Sequence, residues 1–232
     1  MSKPLLVSEI FGPTVQGEGA LIGQPTVFVR LGGCDFRCDW CDTLYAVLPE
    51  HKSDWKRMSA SEVLDDVQNL CPTPILVTLS GGNPAIQDCS ELIKMGQAKG
   101  YTFCMETQGS VAHPWFKCLD HFTLSPKPPS ANVENDWEKV ATCIEYASPE
   151  STTLKLVVLD QKDFDWALDV GRRFENLPLY LQVCNDSPGD TNFETLRQRY
   201  EWLVQQVNDA QAWHVKVLPQ LHVIVWGDRR GV

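Results

Sequence analysis

Three of the nine cysteines have a spacing that suits one metal centre. Cys34, Cys38 and Cys41 form the pattern C-x3-C-x2-C within eight residues. Runs of cysteine this close hold iron–sulfur clusters. A structural zinc site usually takes four ligands from two separated pairs, whereas the nearest histidine downstream is the isolated His51. Three thiolates with an open fourth position therefore favour a [4Fe–4S] cluster that leaves one iron free for an exogenous ligand.

The other six cysteines are scattered singly, and we expect them to be free thiols packed as small hydrophobic side chains. They are Cys71, Cys89, Cys104, Cys118, Cys143 and Cys184. An odd number of cysteines cannot all pair. The first residues meet Glu9 and Gly12 too early to form the apolar core of a signal peptide. We therefore expect a cytoplasmic, reducing location.

The loops that carry these residues lie between alternating strand and helix patterns. Apolar runs predict strands at 26–31, 75–79, 101–105, 122–124, 153–159 and 179–183, whereas the segment before residue 26 reads as irregular and Gly-rich. Helices are predicted at about 60–69, 88–99, 137–147, 164–174 and 191–210, the first opened by a capping box from Ser59 to Glu62. The apolar segment 213–226 is broken by Pro219.

This alternation is typical of parallel sheets built from βαβ units. About six units are too few for a closed eight-fold barrel. The predicted fold is therefore α/β, a single domain over 1–232 with a partial, open parallel β/α barrel of about six strands. A doubly wound sheet is the alternative. In both architectures the active site lies at the carboxyl ends of the strands, where the sequence places the cluster loop (residues 32–43) and the loops 80–84, 106–109 and 125–129.

Composition excludes two classes of partner. The chain of 232 residues has a formal net charge of −10, which is unsuited to the clustered phosphate contacts of nucleic-acid binding. No apolar run approaches the ~20 residues of a membrane-spanning helix. We therefore expect neither nucleic acid nor a membrane as a partner.

The cluster loop resembles the signature of the radical S-adenosylmethionine superfamily, in which the residue before the third cysteine is aromatic, as Trp40 is. The resemblance implies that S-adenosylmethionine binds the open iron and is cleaved reductively to a 5′-deoxyadenosyl radical. Gly81-Gly82-Asn83-Pro84 looks like the superfamily's glycine motif, with Asn83 where glutamate is common. A side-chain role for Asn83 stays open.

Further motifs resemble one family of that superfamily, 7-carboxy-7-deazaguanine synthase. They are EIFGPTVQGEG at 9–19, Phe28-Val29-Arg30, Cys41-Asp42-Thr43, ETQG at 106–109, SPKP at 125–128, and the segments 218–222 and 226–227. The resemblance covers essentially the whole chain. It implies a lyase that converts 6-carboxy-5,6,7,8-tetrahydropterin to 7-carboxy-7-deazaguanine with loss of ammonia, in queuosine precursor (preQ0) biosynthesis.

The resemblance also implies roles for individual residues. Cys34, Cys38 and Cys41 would hold the [4Fe–4S] cluster. The residues expected to bind S-adenosylmethionine are Trp40, Asp42, Gly81, Gly82, Glu106, Gln108, Ser125, Pro126 and Lys127. The residues expected to contact the pterin are Val15, Gln16, Gly17, Glu18, Arg30, Thr78, Ser80 and His222.

Two of these residues carry further expectations. Thr43 matches the family's Mg²⁺ ligand, and a hydroxyl suits that ion, which completes its octahedron from water and substrate. Arg30 can form a forked pair with the substrate carboxylate, or a simple surface ion pair. The family resemblance also predicts a homodimer and an external one-electron donor such as flavodoxin.

Two other functions fit part of the pattern. A glycyl-radical activase shares the cysteine loop and the glycine motif, but it abstracts hydrogen from a protein and would not be expected to combine QGEG, Thr43 and SPKP. A non-catalytic module could bind zinc in the cluster loop.

Overall fold

One mixed sheet of nine strands organises residues 3–189 and 191–232, which the computed structural model describes. The strands are β1 (Leu5–Val15), β2 (Pro25–Leu31), β3 (Lys56–Met58), β4 (Leu76–Gly81), β5 (Thr102–Thr107), β6 (His121–Leu124), β7 (Thr152–Val158), β8 (Leu179–Val183) and β9 (Val215–Leu218). The α-helices are α1 (Leu44–Val47), α2 (Ala60–Leu70), α3 (Ser90–Gln97), α4 (Trp137–Ala147), α5 (Gln161–Arg173), α6 (Phe193–Asp209) and α7 (Leu221–Trp226).

The order of strands is β3-β1-β2-β4-β5-β6-β7-β8-β9. From β2 to β9 every neighbouring pair is parallel, whereas β1 pairs antiparallel with β2 and β3. The predicted single-domain α/β fold with a mostly parallel sheet is confirmed, and it is consistent with an open partial barrel.

The sheet has more strands than the six predicted, and the segment before residue 26 is not irregular, because it contains β1. Its ladder with β2 shifts register between Val7 and Glu9 and again between Phe11 and Thr14. Such irregularities interrupt the alternation of apolar and polar residues by which strands are recognised. β3 has three residues, and β9 occupies the part of the segment 213–226 that precedes Pro219.

The two faces of the sheet differ in polarity, because successive side chains of a strand point to opposite faces. One face is apolar and lies under the helices, with α2 against β1 and β2, α5 against β7, and α6 against β8 and β9. Its fully buried side chains include Val29, Leu79, Met105, Phe122 and Leu156. The other face carries polar side chains, among them Thr26, Arg30, Thr78, Glu106 and Lys155.

Capping side chains mark where three of the helices begin. Ser59 and Glu62 form the predicted capping box, in which each side chain bonds the other residue's backbone N–H. Helix α4 has the predicted limits and is capped by Asp136. Helix α5 begins three residues earlier than predicted, because Asp160 caps it. Among the described residues, no helix combines the length and apolar character needed to cross a membrane.

Candidate active site

The parallel strands bring the predicted loops to one edge of the sheet. Register pairs Leu31 with Gly81 and Thr107 with Leu124, so neighbouring strands end at matching levels. The cluster loop follows β2, and the loops after β4, β5 and β6 follow beside it. The grouping predicted from the sequence is therefore present.

The three loop thiols are partly exposed and free of disulfides. The backbone N–H of Cys41 donates to the carbonyl of Cys38 over 3.2 Å, and that of Phe36 donates to the Cys34 sulfur over 3.4 Å. Burial raises the pKa of Cys34, and it raises the pKa of Cys38 to about 11 despite the nearby Lys127 ammonium.

The donors of this loop fit a thiolate-bound cluster, although their geometry is not preformed. In residues 3–189 and 191–232, no three His, Cys, Asp or Glu side chains are placed so that they could hold a metal ion. Protonated thiols do not attract each other, and binding of a metal itself supplies the free energy that gathers its ligands. The three free thiols on one strand-end loop are therefore suitable donors for a cluster that gathers them when it binds.

One side of the cluster loop is anchored by Asn83, which is fully buried. The Asn83 amide donates to Asp35 Oδ1 over 2.9 Å and to Ser110 Oγ over 3.1 Å. Its Oδ1 accepts from the Thr107 hydroxyl over 2.7 Å. Gln108 Nε2 donates to the same Asp35 oxygen over 2.9 Å and reaches the Cys34 sulfur at 3.6 Å. Asn83 therefore has a side-chain role, which is to hold the residue next to Cys34.

The other side of the loop is anchored by a chain of polar contacts to helix α5. Trp40 Nε1 donates to Ser130 Oγ over 3.1 Å, and that hydroxyl donates to the fully buried carboxylate of Asp163 over 2.5 Å. Asp163 also accepts from the backbone N–H of Leu159. The aromatic residue of the cluster motif is thus fixed by a buried acid that sequence reasoning did not single out.

The two motif glycines are required by packing. A Cβ on Gly81 would lie 2.1 Å from the carbonyl oxygen of Leu31, and one on Gly82 would lie 2.1 Å from that of Gly33. Gly81 also has a φ of +147°, which side-chain-bearing residues rarely adopt. The expected approach of this backbone to S-adenosylmethionine stays a prediction.

A buried ion-pair group lies on the polar face of the sheet. Lys155, which is 2% exposed, contacts Glu18 and lies 2.5 Å from Glu106 Oε1 through its Nζ. Gln220 Nε2 donates to Glu18 Oε1 over 3.0 Å. Sequence reasoning missed Lys155, although a lysine between Leu154 and Leu156 in a buried strand is a detectable signal, because lysine is rarely buried unpaired.

Two members of this group, Glu18 and Lys155, stay charged at neutral pH. Burial by itself raises the pKa of Glu18, but the Lys155 ammonium, His222 and Gln220 outweigh it and hold that pKa well below its usual range. Burial likewise lowers the pKa of Lys155, and the Glu106 and Glu18 carboxylates more than reverse this effect. Glu18 is therefore a carboxylate and Lys155 an ammonium at neutral pH.

Arg30 forms an ion pair with Glu9, its Nε lying 2.8 Å from Oε1. Tyr45 donates to the same oxygen over 3.0 Å, and Arg230 Nε lies 2.8 Å from Glu9 Oε2. Burial raises the pKa of Glu9, but Arg230, Arg30 and Tyr45 together hold it below its usual value. Glu9 thus orients Arg30, whose contact with a substrate carboxylate stays a prediction.

Several predicted pterin contacts lie around this polar face. Ser80 Oγ is buried, and no hydrogen-bond partner for it exists in the described part of the chain. The Gln16 amide oxygen accepts from the backbone N–H of Glu18 over 3.2 Å. His222 packs on Gly17, where a Cβ would come within 2.3 Å of its Nδ1. Val15 pairs with Pro25 at the end of β1.

Thr78 lies deeper than the other predicted contacts. It is 1% exposed, and its hydroxyl is engaged with Thr26 Oγ1 at 2.8 Å and Cys104 Sγ at 3.2 Å. Because this hydroxyl is already engaged, Thr78 acts on a substrate only through these two neighbours. A direct contact between Thr78 and the substrate stays a prediction.

The remaining predicted residues lie in the loops after β2 and β6. Thr43 Oγ1 lies 3.5 Å from the Gly81 carbonyl oxygen and 3.7 Å from the Cys41 sulfur. Lys127 Nζ donates to the buried Ser125 Oγ over 3.1 Å. Pro126 is buried and Asp42 is exposed.

Comparison with known proteins points to one family. No protein-family model matches the chain. Proteins named 7-carboxy-7-deazaguanine synthase from Bacillus cereus and Bacillus subtilis are each 38% identical to it, and both alignments cover all of each sequence. One from Thermoplasma acidophilum is 32% identical over 98% of this chain and all of its own.

Solved structures share the fold. QueE from Escherichia coli superposes with a TM-score of 0.71 at 22% identity, over 94% of each chain. TYW1 with a lysine–pyruvate adduct gives 0.57 at 12% identity, over 81% of this chain and 75% of its own. Streptococcus suis SuiB bound to S-adenosylmethionine gives 0.53 at 14% identity, over 81% of this chain and 45% of its own.

Proposed function

Because the chain belongs to the 7-carboxy-7-deazaguanine synthase family, we propose that it converts 6-carboxy-5,6,7,8-tetrahydropterin to 7-carboxy-7-deazaguanine and ammonia, a step towards queuosine. The observation that carries the proposal is the 38% identity to named synthases over their whole length. Product and ammonia together contain the atoms of the substrate, so the reaction is a redox-neutral elimination by a carbon–nitrogen lyase. Membership of this family argues against both alternative functions, a glycyl-radical activase and a non-catalytic zinc module.

The cluster loop has the donors for the cofactors that this reaction needs. Cys34, Cys38 and Cys41 would hold a [4Fe–4S] cluster, which together with S-adenosylmethionine supplies a 5′-deoxyadenosyl radical for hydrogen abstraction from C6 of the pterin. The contacts of Asn83 with Asp35 and of Trp40 with Ser130 support this assignment, since they fix both sides of the loop.

S-adenosylmethionine would lie along the rim formed by the four loops. Glu106 would accept hydrogen bonds from its ribose, with Gln108 beside it. Trp40, Asp42, Gly81, Gly82, Ser125, Pro126 and Lys127 complete this proposed set. The Lys127 ammonium near Cys34 and Cys38 supports the assignment, because a positive charge there favours thiolates and a carboxylate ligand.

The pterin would lie on the polar face of the sheet. Glu18 and Gln16 would recognise its guanidine-like edge, and Arg30, oriented by Glu9, would pair with its carboxylate. The unpartnered hydroxyl of Ser80 supports a polar ligand there, because a buried hydroxyl normally finds a partner. Holding the reacting atoms in place is the main contribution of these residues.

Thr43 would bind Mg²⁺ together with water and the substrate carboxylate. One hard oxygen donor from the protein fits this ion, which usually keeps several waters. We also propose a homodimer, a cytoplasmic location and an external one-electron donor such as flavodoxin. Nine free cysteines support the reducing location.

The proposal is tested by an anaerobic assay of reconstituted protein with the pterin, S-adenosylmethionine, Mg²⁺ and a reductant. We expect 7-carboxy-7-deazaguanine by mass spectrometry, and about four irons bound to each chain. Cys34→Ala should abolish the product, whereas Cys71→Ala, outside the loop, should retain it. Absence of the product from iron-loaded wild type would refute the substrate assignment.

A further inference from the structure

Lys155 contacts two parts of the site that lie far apart in the sequence. Its side chain rises from β7 on the polar face of the sheet and is almost fully buried. One contact is with Glu18, in the loop after β1, and the other is with Glu106, near the end of β5. The Lys155 stem also packs near Gly19, since a Cβ there would lie 3.8 Å from its Cδ. The Lys155 ammonium therefore connects the loop after β1 to the end of β5.

Such an arrangement is costly unless all of its members are paired. Moving an ammonium out of water is unfavourable, and close carboxylates offset that desolvation. Glu18 has a second fixed contact, because Gln220 Nε2 donates to its other oxygen. The carboxylate is thus held at both oxygens, and its orientation depends on Lys155 and on the segment after β9.

We propose that Lys155 is a positioning residue for both ligands, holding Glu18 towards the pterin and Glu106 towards the ribose of S-adenosylmethionine. This inference rests on the proposed function, which assigns those two acids to the two ligands. Because the same ammonium holds both acids, a ligand that shifts one of them towards its bound position also shifts the other. The second ligand then pays less to bind, which is positive coupling between the two sites.

The test measures binding of the pterin by calorimetry to anaerobic, cluster-loaded protein, with and without S-adenosylmethionine. In wild type we expect S-adenosylmethionine to tighten pterin binding by about 5-fold or more. In Lys155→Met this coupling factor should fall to about 1, and KM for both ligands should rise. Lys155→Arg, which keeps the charge, should restore part of the coupling.

The matched control is Lys139→Met, the same change at a half-exposed lysine of α4, and it should retain wild-type coupling and KM. Wild-type coupling in a folded Lys155→Met variant would overturn the proposal, as would absence of coupling in wild type. If Lys155→Met does not fold, Lys155→Arg is the deciding variant. Its guanidinium places the positive charge differently from the ammonium, so wild-type KM and wild-type coupling in this variant would contradict a positioning role. Failure of the proposed function is distinguishable, since wild type would then neither bind the pterin in calorimetry nor form product, whereas failure of this inference leaves an active, pterin-binding wild type that lacks coupling or whose coupling survives in Lys155→Met.

Discussion

At the residue scale, Asn83 explains how this chain uses a glycine motif without its glutamate. All of the amide's contacts are internal: Nδ2 donates to Asp35 and Ser110, and Oδ1 accepts from Thr107 and the backbone of Ala85. A carboxylate could not donate to Asp35. Asparagine is therefore the residue that suits a cluster loop with an aspartate after its first cysteine.

Asn83→Asp tests this role with almost no change of shape. The variant loses both N–H donors and places a carboxylate against Asp35, so we expect it to lose about 1–3 kcal/mol of unfolding free energy. Urea denaturation and the iron content after reconstitution would measure the effect. Asn176→Asp, at an exposed position, is the control. Equal stability and iron content in the two variants would contradict an anchoring role.

Glu18 gives a prediction about pH, because its pKa lies below the ordinary value of 4.5 in the folded chain. A depressed pKa stabilises the fold above the unfolded-state value and loses that contribution as the pH falls below it. Glu18→Gln should therefore cost about 1–3 kcal/mol at pH 7, and the difference from wild type should shrink as the pH falls below about 4.5. Urea titrations at pH 7, 5 and 4 would measure it, and a difference independent of pH would contradict the ion pair.

At the element scale, the cluster loop is held by neighbouring loops as well as by hydrogen bonds between its own residues. Asp35 is bonded to the loops after β4 and β5, and the backbone N–H of Asp39 donates to Ala131 over 3.2 Å. Trp40 is tied through Ser130 to Asp163 of α5. The position of the thiols therefore depends on the ends of several strands.

Ser130→Ala should loosen this loop without disturbing the sheet. The change removes one acceptor for Trp40 and one donor to the buried Asp163, and we expect a loss of about 1–2 kcal/mol. Hydrogen exchange measured by mass spectrometry should become faster in peptides covering 34–41. Ser53→Ala, at an exposed hydroxyl, should leave that exchange unchanged. Unchanged protection in Ser130→Ala would show that the contact does not hold the loop.

At the scale of the whole molecule, contacts between the two ends of the chain complete the site. Gln220 bonds Glu18 across 202 positions of sequence, and Arg230 bonds Glu9 across 221 positions.

The nine cysteines fall into two classes of burial. Cys89, Cys104, Cys143 and Cys184 are buried, and the other five are partly exposed. The six scattered cysteines, which we expect to be packed, therefore divide into four buried thiols and two partly exposed ones, Cys71 and Cys118.

Thiol reactivity should follow this division. In reduced, metal-free, folded protein we expect alkylation at the five partly exposed cysteines, whereas the four buried ones should react only in denaturant. Burial raises the pKa of Cys104 and Cys143 to about 12, which lowers their thiolate content further. Peptide mapping by mass spectrometry would assign each site. Rapid labelling of Cys104 before unfolding would contradict the packing of the polar face.

Features that depend on local spacing follow from the order of the amino acids alone. The cysteine motif, the capping box at Ser59 and the alternation of strands and helices arise from residues a few positions apart, so they are readable without the fold. β1 was not readable, because its register shifts interrupt the alternation. The motifs also grouped correctly, since loops after parallel strands must share one edge of the sheet.

The pairing of polar side chains, in contrast, depends on which distant segments the fold brings together. Lys155 reads as an unusual charge within a strand until the fold places it between Glu18, 137 positions away, and Glu106. Asn83 reads as a departure from a motif until Asp35 and Thr107 are placed around it. Charges and amides are satisfied by whichever partner the packing of distant strands brings within about 3 Å, and no pattern of sequence spacing encodes that partner.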